Sequence, residues 1–205
     1  MKEIIDAFHM NYYNNQLFFK TYWLGVSAQK CPLDLWIYQE IIHEIKPDVI
    51  IECGTYDGGS AIYLASICDL INKGRIITID INFRENRPSH KRIEYILASS
   101  TAITTAEKVK SQINDGDVVM VILDSDHSKQ HVLNELNIYS QLVTKGSYLI
   151  VEDTNINGNP VLDTFGPGPM EALEEFLIGT NEFIIDSRRE KFFLTFNPKG
   201  YLRKV

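Results

Sequence analysis

Two stretches of this 205-residue chain hold residue types that chemistry needs, and each follows a strongly apolar run. The first is Glu52-Cys53-Gly54-Thr55-Tyr56-Asp57-Gly58-Gly59-Ser60, directly after Val49-Ile50-Ile51. Glycines permit a tight turn and let a ligand approach the backbone. A helix starting here would present free N–H groups to that ligand. The spacing is Gly-x-x-x-Gly-Gly, not the Gly-x-Gly-x-x-Gly of dinucleotide sites. It disfavours a pyrophosphate and suits a smaller, nucleoside-like ligand. The second is acidic: Asp124-Ser125-Asp126-His127 after the run ending at Leu123, and Glu152-Asp153 after Val151. Carboxylates crowded together raise one another's pKa unless a cation compensates. All-oxygen ligands favour a hard cation, and Mg²⁺ is the expected one. Asp124, Glu152 and Asp153 are the expected metal set.

Smaller signals accompany these. Asp80 closes the run Ile76-Ile77-Thr78-Ile79, where a carboxylate can accept hydrogen bonds from both ribose hydroxyls. Ala98-Ser99-Ser100 follows another apolar run and offers either a contact to an adenine edge or a cap for the next helix. His127 is the histidine nearest the acidic edge, placed either to act as a base near neutral pH or to cap a helix or orient a metal ligand. His131 lies one helical turn on, but the pair lacks the glutamate of a zincin helix. The Gly- and Pro-rich stretch from Asn155 to Pro169 reads as a lid or substrate loop.

The elements that position these residues follow from periodicity. Short β-branched runs at Val49 to Ile51, Ile76 to Ile79, Ile93 to Leu97, Val118 to Leu123 and Tyr148 to Val151 suit strands buried on both faces. Phe183 to Ile185 and Phe192 to Phe196 complete the set. Between them lie helical stripes. Leu35, Tyr38, Ile41, Ile42 and Ile45 share one face, with Asp34 as the expected N-cap. Others run through Ile62, Ala65 and Cys68, from Thr101 to Gln112, through Val132 to Leu142, and from Met170 to Leu177. Strands alternating with helices predict an α/β fold: a Rossmann-like, doubly wound, mostly parallel seven-stranded sheet. Only Asp186 to Lys191 separates the last two predicted strands, so they should pair antiparallel. Residues 1–33, rich in Tyr, Phe and Asn, stand outside the alternation as an N-terminal cap or extension, over the site or in a dimer contact. Residues 34–205 form the ligand-binding domain.

Composition narrows the partners. A formal net charge of −7 argues against nucleic acid, which needs a basic surface. Arg84, Arg87, Lys91 and Arg92 cluster locally and read as a solvated loop. No apolar window is long enough to insert in a membrane, and polar residues interrupt any signal-peptide core near the N-terminus. A cytoplasmic protein is expected. Cys31, Cys53 and Cys68 form no Cys-x-x-Cys pair and read as small buried apolar residues. The aromatic N-terminus offers a contact surface for a homo-oligomer.

Taken in order, Ile51 to Ser60, Leu123 to His127, Val151 to Asn155 and Gly166-Pro167-Gly168-Pro169 resemble class I S-adenosylmethionine-dependent methyltransferases. More narrowly they resemble the cephalosporin hydroxylase family, which includes rhamnosyl O-methyltransferases. The resemblance runs from about Tyr22 to Leu202. It implies a seven-stranded sheet with the last strand antiparallel and a cofactor loop lined by Glu52, Gly54 and Ser60. Thr55, Tyr56, Gly58, Ser99 and Asp124 join the expected cofactor-binding set. It implies that Asp80 holds the ribose and that Asp124, Glu152 and Asp153 bind a divalent ion. Metal-dependent catechol-type enzymes are similar, but usually carry Asp-Asn where this chain has Glu152-Asp153. The expected activity is O-methylation of a hydroxyl on a sugar, glycan or small metabolite. In it the metal chelates the hydroxyl, and His127 or Asp126 accepts its proton beside Asp124. Two alternatives stand beside it: a metal-dependent glycosyltransferase using Asp124-Ser125-Asp126, and a non-catalytic module on the same fold.

Overall fold

The computed structural model describes residues 1–205. Its centre is a seven-stranded sheet. Strands β3 (Val49–Cys53), β4 (Arg75–Asp80), β5 (Ile93–Leu97), β6 (Val119–Leu123) and β7 (Tyr148–Val151) pair in parallel, in the order β5-β4-β3-β6-β7. Side chains alternate between two cores. Val49, Ile51 and Cys53 enter one with Val121, Leu136, Tyr139 and Leu173, while Ile50 enters the other with Ile41, Leu64, Ile122 and Ile150. Both faces are covered, which is why the strands read as unbroken apolar runs. Each fully buried Ile or Val contributes roughly 1.5–3 kcal/mol of transfer free energy.

Helices α2 (Pro32–Ile45) and α3 (Gly59–Leu70) cover one face, and α4 (Ile103–Lys110), α5 (Lys129–Tyr139) and α6 (Pro169–Ile178) cover the other. α4 is shorter than the predicted 101–112. Because β6 lies beside β3 on the side away from β4, the topology reverses between β3 and β6. A crevice opens at such a point beyond the carboxyl ends of the strands.

The far edge corrects the sequence reading. β8 (Phe183–Ile185) is as predicted, but the last strand is β9 (Tyr201–Lys204), not 192–196. β9 lies antiparallel between β7 and β8, so it is the reversed strand. The predicted strand at 192–196 is irregular backbone held by a side chain: the Phe196 N–H donates to Asp34 Oδ2 at 2.8 Å, and Thr195 Oγ1 donates to Asp34 Oδ1 at 2.5 Å. Tyr201 Oη donates to the same carboxylate at 2.8 Å. Asp34 is therefore no N-cap. Cys31 holds that position, and Asp34 is buried in the first turn. Burial pushes its carboxyl up to about 6 despite these donors.

The first 33 residues hold α1 (Lys2–Asn14), a 3₁₀ turn (Leu17–Lys20) and a hairpin of β1 (Tyr22–Trp23) and β2 (Val26–Ser27). Tyr12, Tyr13 and Phe18 pack against Cys31, Leu194 and Phe196. All three cysteines are free and buried. The basic cluster is paired: Arg87 with Asp80, Arg84 with Asp57, and Lys91 and Arg92 with Asp69. No helix is long and apolar enough to cross a membrane.

Candidate active site

A cavity of about 520 Å³ opens at the carboxyl edge of the sheet. Its floor is the turn after β3. The Gly54 N–H donates to the Ile79 carbonyl at 2.9 Å, and the Asp124 N–H donates to the Cys53 carbonyl at 2.8 Å, so the loops after β3, β4 and β6 are tied together. Gly54 has φ +100°, and a Cβ there would overlap the Asp124 carbonyl. Gly59 opens α3 beneath the backbone of Ser27 and Ala28, which leaves no room for a side chain. The strap after the hairpin thus crosses directly over the glycine turn.

Of the residues predicted to hold a cofactor, Gly54, Thr55, Tyr56, Ser60, Asp80 and Asp124 line the cavity. Asp80 ends β4, where Oδ2 accepts from the Tyr56 N–H and from Arg87 Nη2, each at 2.8 Å, and Oδ1 accepts from the Asn82 N–H at 2.8 Å. Three others do not line it. Glu52 is fully buried behind the turn, and its Oε2 accepts from Thr78 Oγ1 at 2.6 Å. Burial raises its pKa against the pull of Lys30. Gly58 takes the left-handed N-cap of α3, with φ 84°. The Ser99 hydroxyl pairs with Thr101 at 3.0 Å, and the neighbouring Ser100 faces the cavity instead.

Ser100 belongs to a polar network that the sequence reading missed. Its hydroxyl and that of Ser125 donate to Glu135 Oε1 at 2.5 and 2.6 Å, and His131 Nε2 stands 3.3 Å from the same oxygen. Glu135 is fully buried in α5, and its other oxygen has no partner. His131 is thus held by carboxylate and hydroxyl groups beside the cavity, with no metal-binding partner histidine.

The acidic edge adjoins this network, since Asp124 directly precedes Ser125. Asp124, His127 and Asp153 each offer one ligand atom, all within 4.8 Å of one another. His127 Nε2 is 2.9 Å from Asp153 Oδ2 and 3.4 Å from Asp124 Oδ1. Burial pulls the imidazole pKa down, but the charges of Asp153 and Asp124 prevail and hold it well above its ordinary value. The third predicted ligand, Glu152, is turned differently. Its Oε2 lies 2.7 Å from Lys30 Nζ, which also binds Asp124 Oδ2, and its Oε1 is buried without a partner. Burial and the Asp124 charge raise the Glu152 pKa. Asp124, half-buried, is drawn below the ordinary range by Lys30 and His127 against the cost of desolvation. Asp126 Oδ1 accepts from the Ser128 N–H at 2.8 Å, and this hydrogen bonding lowers its pKa. Nothing in the sequence singled out Lys30, because it sits in no motif and reaches its partners only through the fold.

The outer wall is aromatic and apolar. Tyr13, Phe18 and Phe19 come from the N-terminal segment, Ile156, Leu162 and Phe165 from the loop after β7, and Phe196 from the segment before β9.

The family described as Rhamnosyl O-methyltransferase/CmcI matches residues 15–205. The chain belongs to that family. The rhamnosyl O-methyltransferase of Mycobacterium tuberculosis is 40% identical over 209 residues, covering 97% of this chain and 84% of the relative. That of Mycobacterium leprae is 38% identical over 208 residues, covering 97% and 90%. Among solved structures, the one described as cmcI-D160 Mg-SAM superposes with a TM-score of 0.68 at 19% identity, covering 90% of this chain and 76% of the other. The glycine turn, Asp80 and the acidic edge are thus laid out on the fold of the Rhamnosyl O-methyltransferase/CmcI family. Membership in this family also displaces the glycosyltransferase alternative.

Proposed function

We propose that the chain transfers a methyl group from S-adenosylmethionine to a hydroxyl of a sugar, borne on a glycan or a small metabolite, with the help of Mg²⁺. The observation that carries this reading is the meeting of the glycine turn, Asp80 and the Asp124/His127/Asp153 group around one cavity. The 40% identical relative is named a rhamnosyl O-methyltransferase, and the similar fold described as cmcI-D160 Mg-SAM carries both Mg and the methyl donor.

The residues fit a divalent ion. Ligand atoms of Asp124, His127 and Asp153 converge, and the buried Glu152 Oε1 lacks any hydrogen-bond partner. Asp124, Asp153 and Glu152 would hold the ion by oxygen, as a hard cation prefers. Bound there, it would lower the pKa of a coordinated substrate hydroxyl.

The chain's own residues do the rest. Gly54, Thr55 and Tyr56 present backbone close to the donor, and Asp80 accepts from its ribose hydroxyls once Arg87 yields one carboxylate oxygen. Tyr13, Phe18, Phe165 and Phe196 hold the acceptor and keep water from the transfer. His127 Nε2 is placed to take the hydroxyl proton when Asp124 and Asp153 are engaged elsewhere, because only the neutral imidazole accepts one. The lowered pKa of Asp126 makes it the weaker acceptor.

The test is methyl transfer from labelled S-adenosylmethionine to rhamnose-terminated acceptors, with Mg²⁺ and after chelation. The expected result is a labelled O-methyl sugar that disappears with chelator and returns with Mg²⁺. Turnover unaffected by chelation contradicts the metal, and turnover unaffected by His127→Ala contradicts the base.

A further inference from the structure

Lys30 stands where the metal ligands turn inward. Its side chain is 5% exposed, and its ammonium is bonded to Asp124 Oδ2 and lies 2.7 Å from Glu152 Oε2. The backbone around it is fixed. The Lys30 N–H donates to Thr21 Oγ1 at 3.1 Å, the Ala28 N–H donates to the Thr21 carbonyl at 3.0 Å, and the strap lies against Gly59. The lysine is therefore delivered to the acidic edge by a segment that cannot easily drift away. Its charge meets not one carboxylate but a group, since Glu52 also attracts it.

We propose that Lys30 is a resident counter-cation that competes with the divalent ion for Asp124 and Glu152, and so sets how tightly this chain holds metal. The inference rests on the metal site proposed above. Carboxylates this close, one buried and one half-buried, repel one another unless a positive charge lies among them. Lys30 supplies that charge in the metal-free protein and lets the edge stay folded. A dication arriving at the same two carboxylates meets the ammonium as a like charge, and both bid for Asp124 and Glu152. Asp124 Oδ1 and Asp153 Oδ2 remain on the His127 side, away from the lysine. A metal would therefore be held from the cavity side, with the nearby ammonium weakening its hold on Glu152. The lysine makes metal binding weaker and more reversible than the same carboxylates alone would give.

The experiment is titration of the full-length chain with Mn²⁺, read by the paramagnetic signal of the free ion and by calorimetry, without methyl donor or acceptor. Wild type, Lys30→Met and Lys30→Arg are compared, together with their melting temperatures in chelator and in Mn²⁺. Lys30→Met is expected to bind Mn²⁺ at least tenfold more tightly than wild type. It should melt lower in chelator and gain more from Mn²⁺. Lys30→Arg, which keeps the charge, should bind no tighter than wild type. Should Lys30→Met not fold, Lys30→Gln is read in the same way. A neutral variant that binds Mn²⁺ equally or more weakly than wild type overturns the competition, and leaves the metal site itself standing. Absence of Mn²⁺ binding at millimolar concentration in wild type and neutral variants alike overturns the metal site, and the role of Lys30 with it.

Discussion

The Gly54 Cα lies so close beneath the Asp124 carbonyl that a Cβ could not be added without moving the chain after β6. The first residue of the glycine turn and the first residue of the acidic edge are thus one mechanical unit. Gly54 also takes φ +100°, where a side chain is strained in itself. Gly54→Ala is expected to lower the melting temperature and to abolish calorimetric binding of S-adenosylmethionine. A folded variant that binds the donor as wild type does would show that the loop can shift freely.

Asp80 should govern donor affinity. Two ribose hydroxyls donating to a carboxylate contribute roughly 1.5 kcal/mol or more each, so Asp80→Ala should weaken binding about a hundredfold or more. Calorimetry measures this directly. The variant also frees Arg87 and the Tyr56 N–H, so its melting temperature should be measured alongside.

The docking of α1 should depend on pH. His9 is buried, stacks on Phe196 with ring centroids 5.6 Å apart, and accepts a hydrogen bond from Asn155 Nδ2 at 2.9 Å. Burial lowers its pKa to about 4, against the opposing pull of Asp6 and Asp153. The unfolded histidine titrates near 6.5, so between those values the undocked state holds the extra proton. The stabilisation is complete above about pH 6.5 and fades as pH falls toward 4, by at most about 1.4 kcal/mol per pH unit. Amide protection across residues 2–14, taken relative to the intrinsic exchange rate at each pH, should be lower at pH 4.5 than at pH 7. In His9→Gln, which takes no proton, this part of the loss of protection should vanish.

Replacing Asp34 should be costly. Asp34→Ala strips acceptors from Thr195, the Phe196 N–H and Tyr201, all buried. Unsatisfied buried donors cost about 1–3 kcal/mol each, so a loss on the order of 10 °C in melting temperature is expected. Asp34→Asn, which keeps one acceptor oxygen, should lose less.

The central strands were legible because burial on both faces writes itself as β-branched runs, as in Val49 to Ile51 and Val119 to Leu123. The glycine turn and the carboxylates at strand ends were legible because each lies beside such a run. What was not legible depends on partners far away in sequence. The segment 192–196 carries apolar residues like a strand, yet a carboxylate in α2 occupies the backbone N–H of Phe196. β9 was overlooked because Tyr201–Lys204 reads as half polar beside it. Ser100 rather than Ser99 faces the cavity, and local spacing cannot tell adjacent serines apart. Lys30 meets Asp124 and Glu152 only across the fold, with nothing in its neighbours to mark it.

The pairing of Asp34 with Thr195, Phe196 and Tyr201 has a consequence for how the protein is made. On the ribosome residues 1–40 emerge long before the stretch that pairs with Asp34, and α2 cannot bury that carboxylate until residues 195–201 arrive. Contacts of such long sequence separation form late and slow the search for the native state. The nascent chain therefore spends most of its synthesis with the aromatic wall of Tyr13 and Phe18 exposed, in the interval when chaperones have the most to hold.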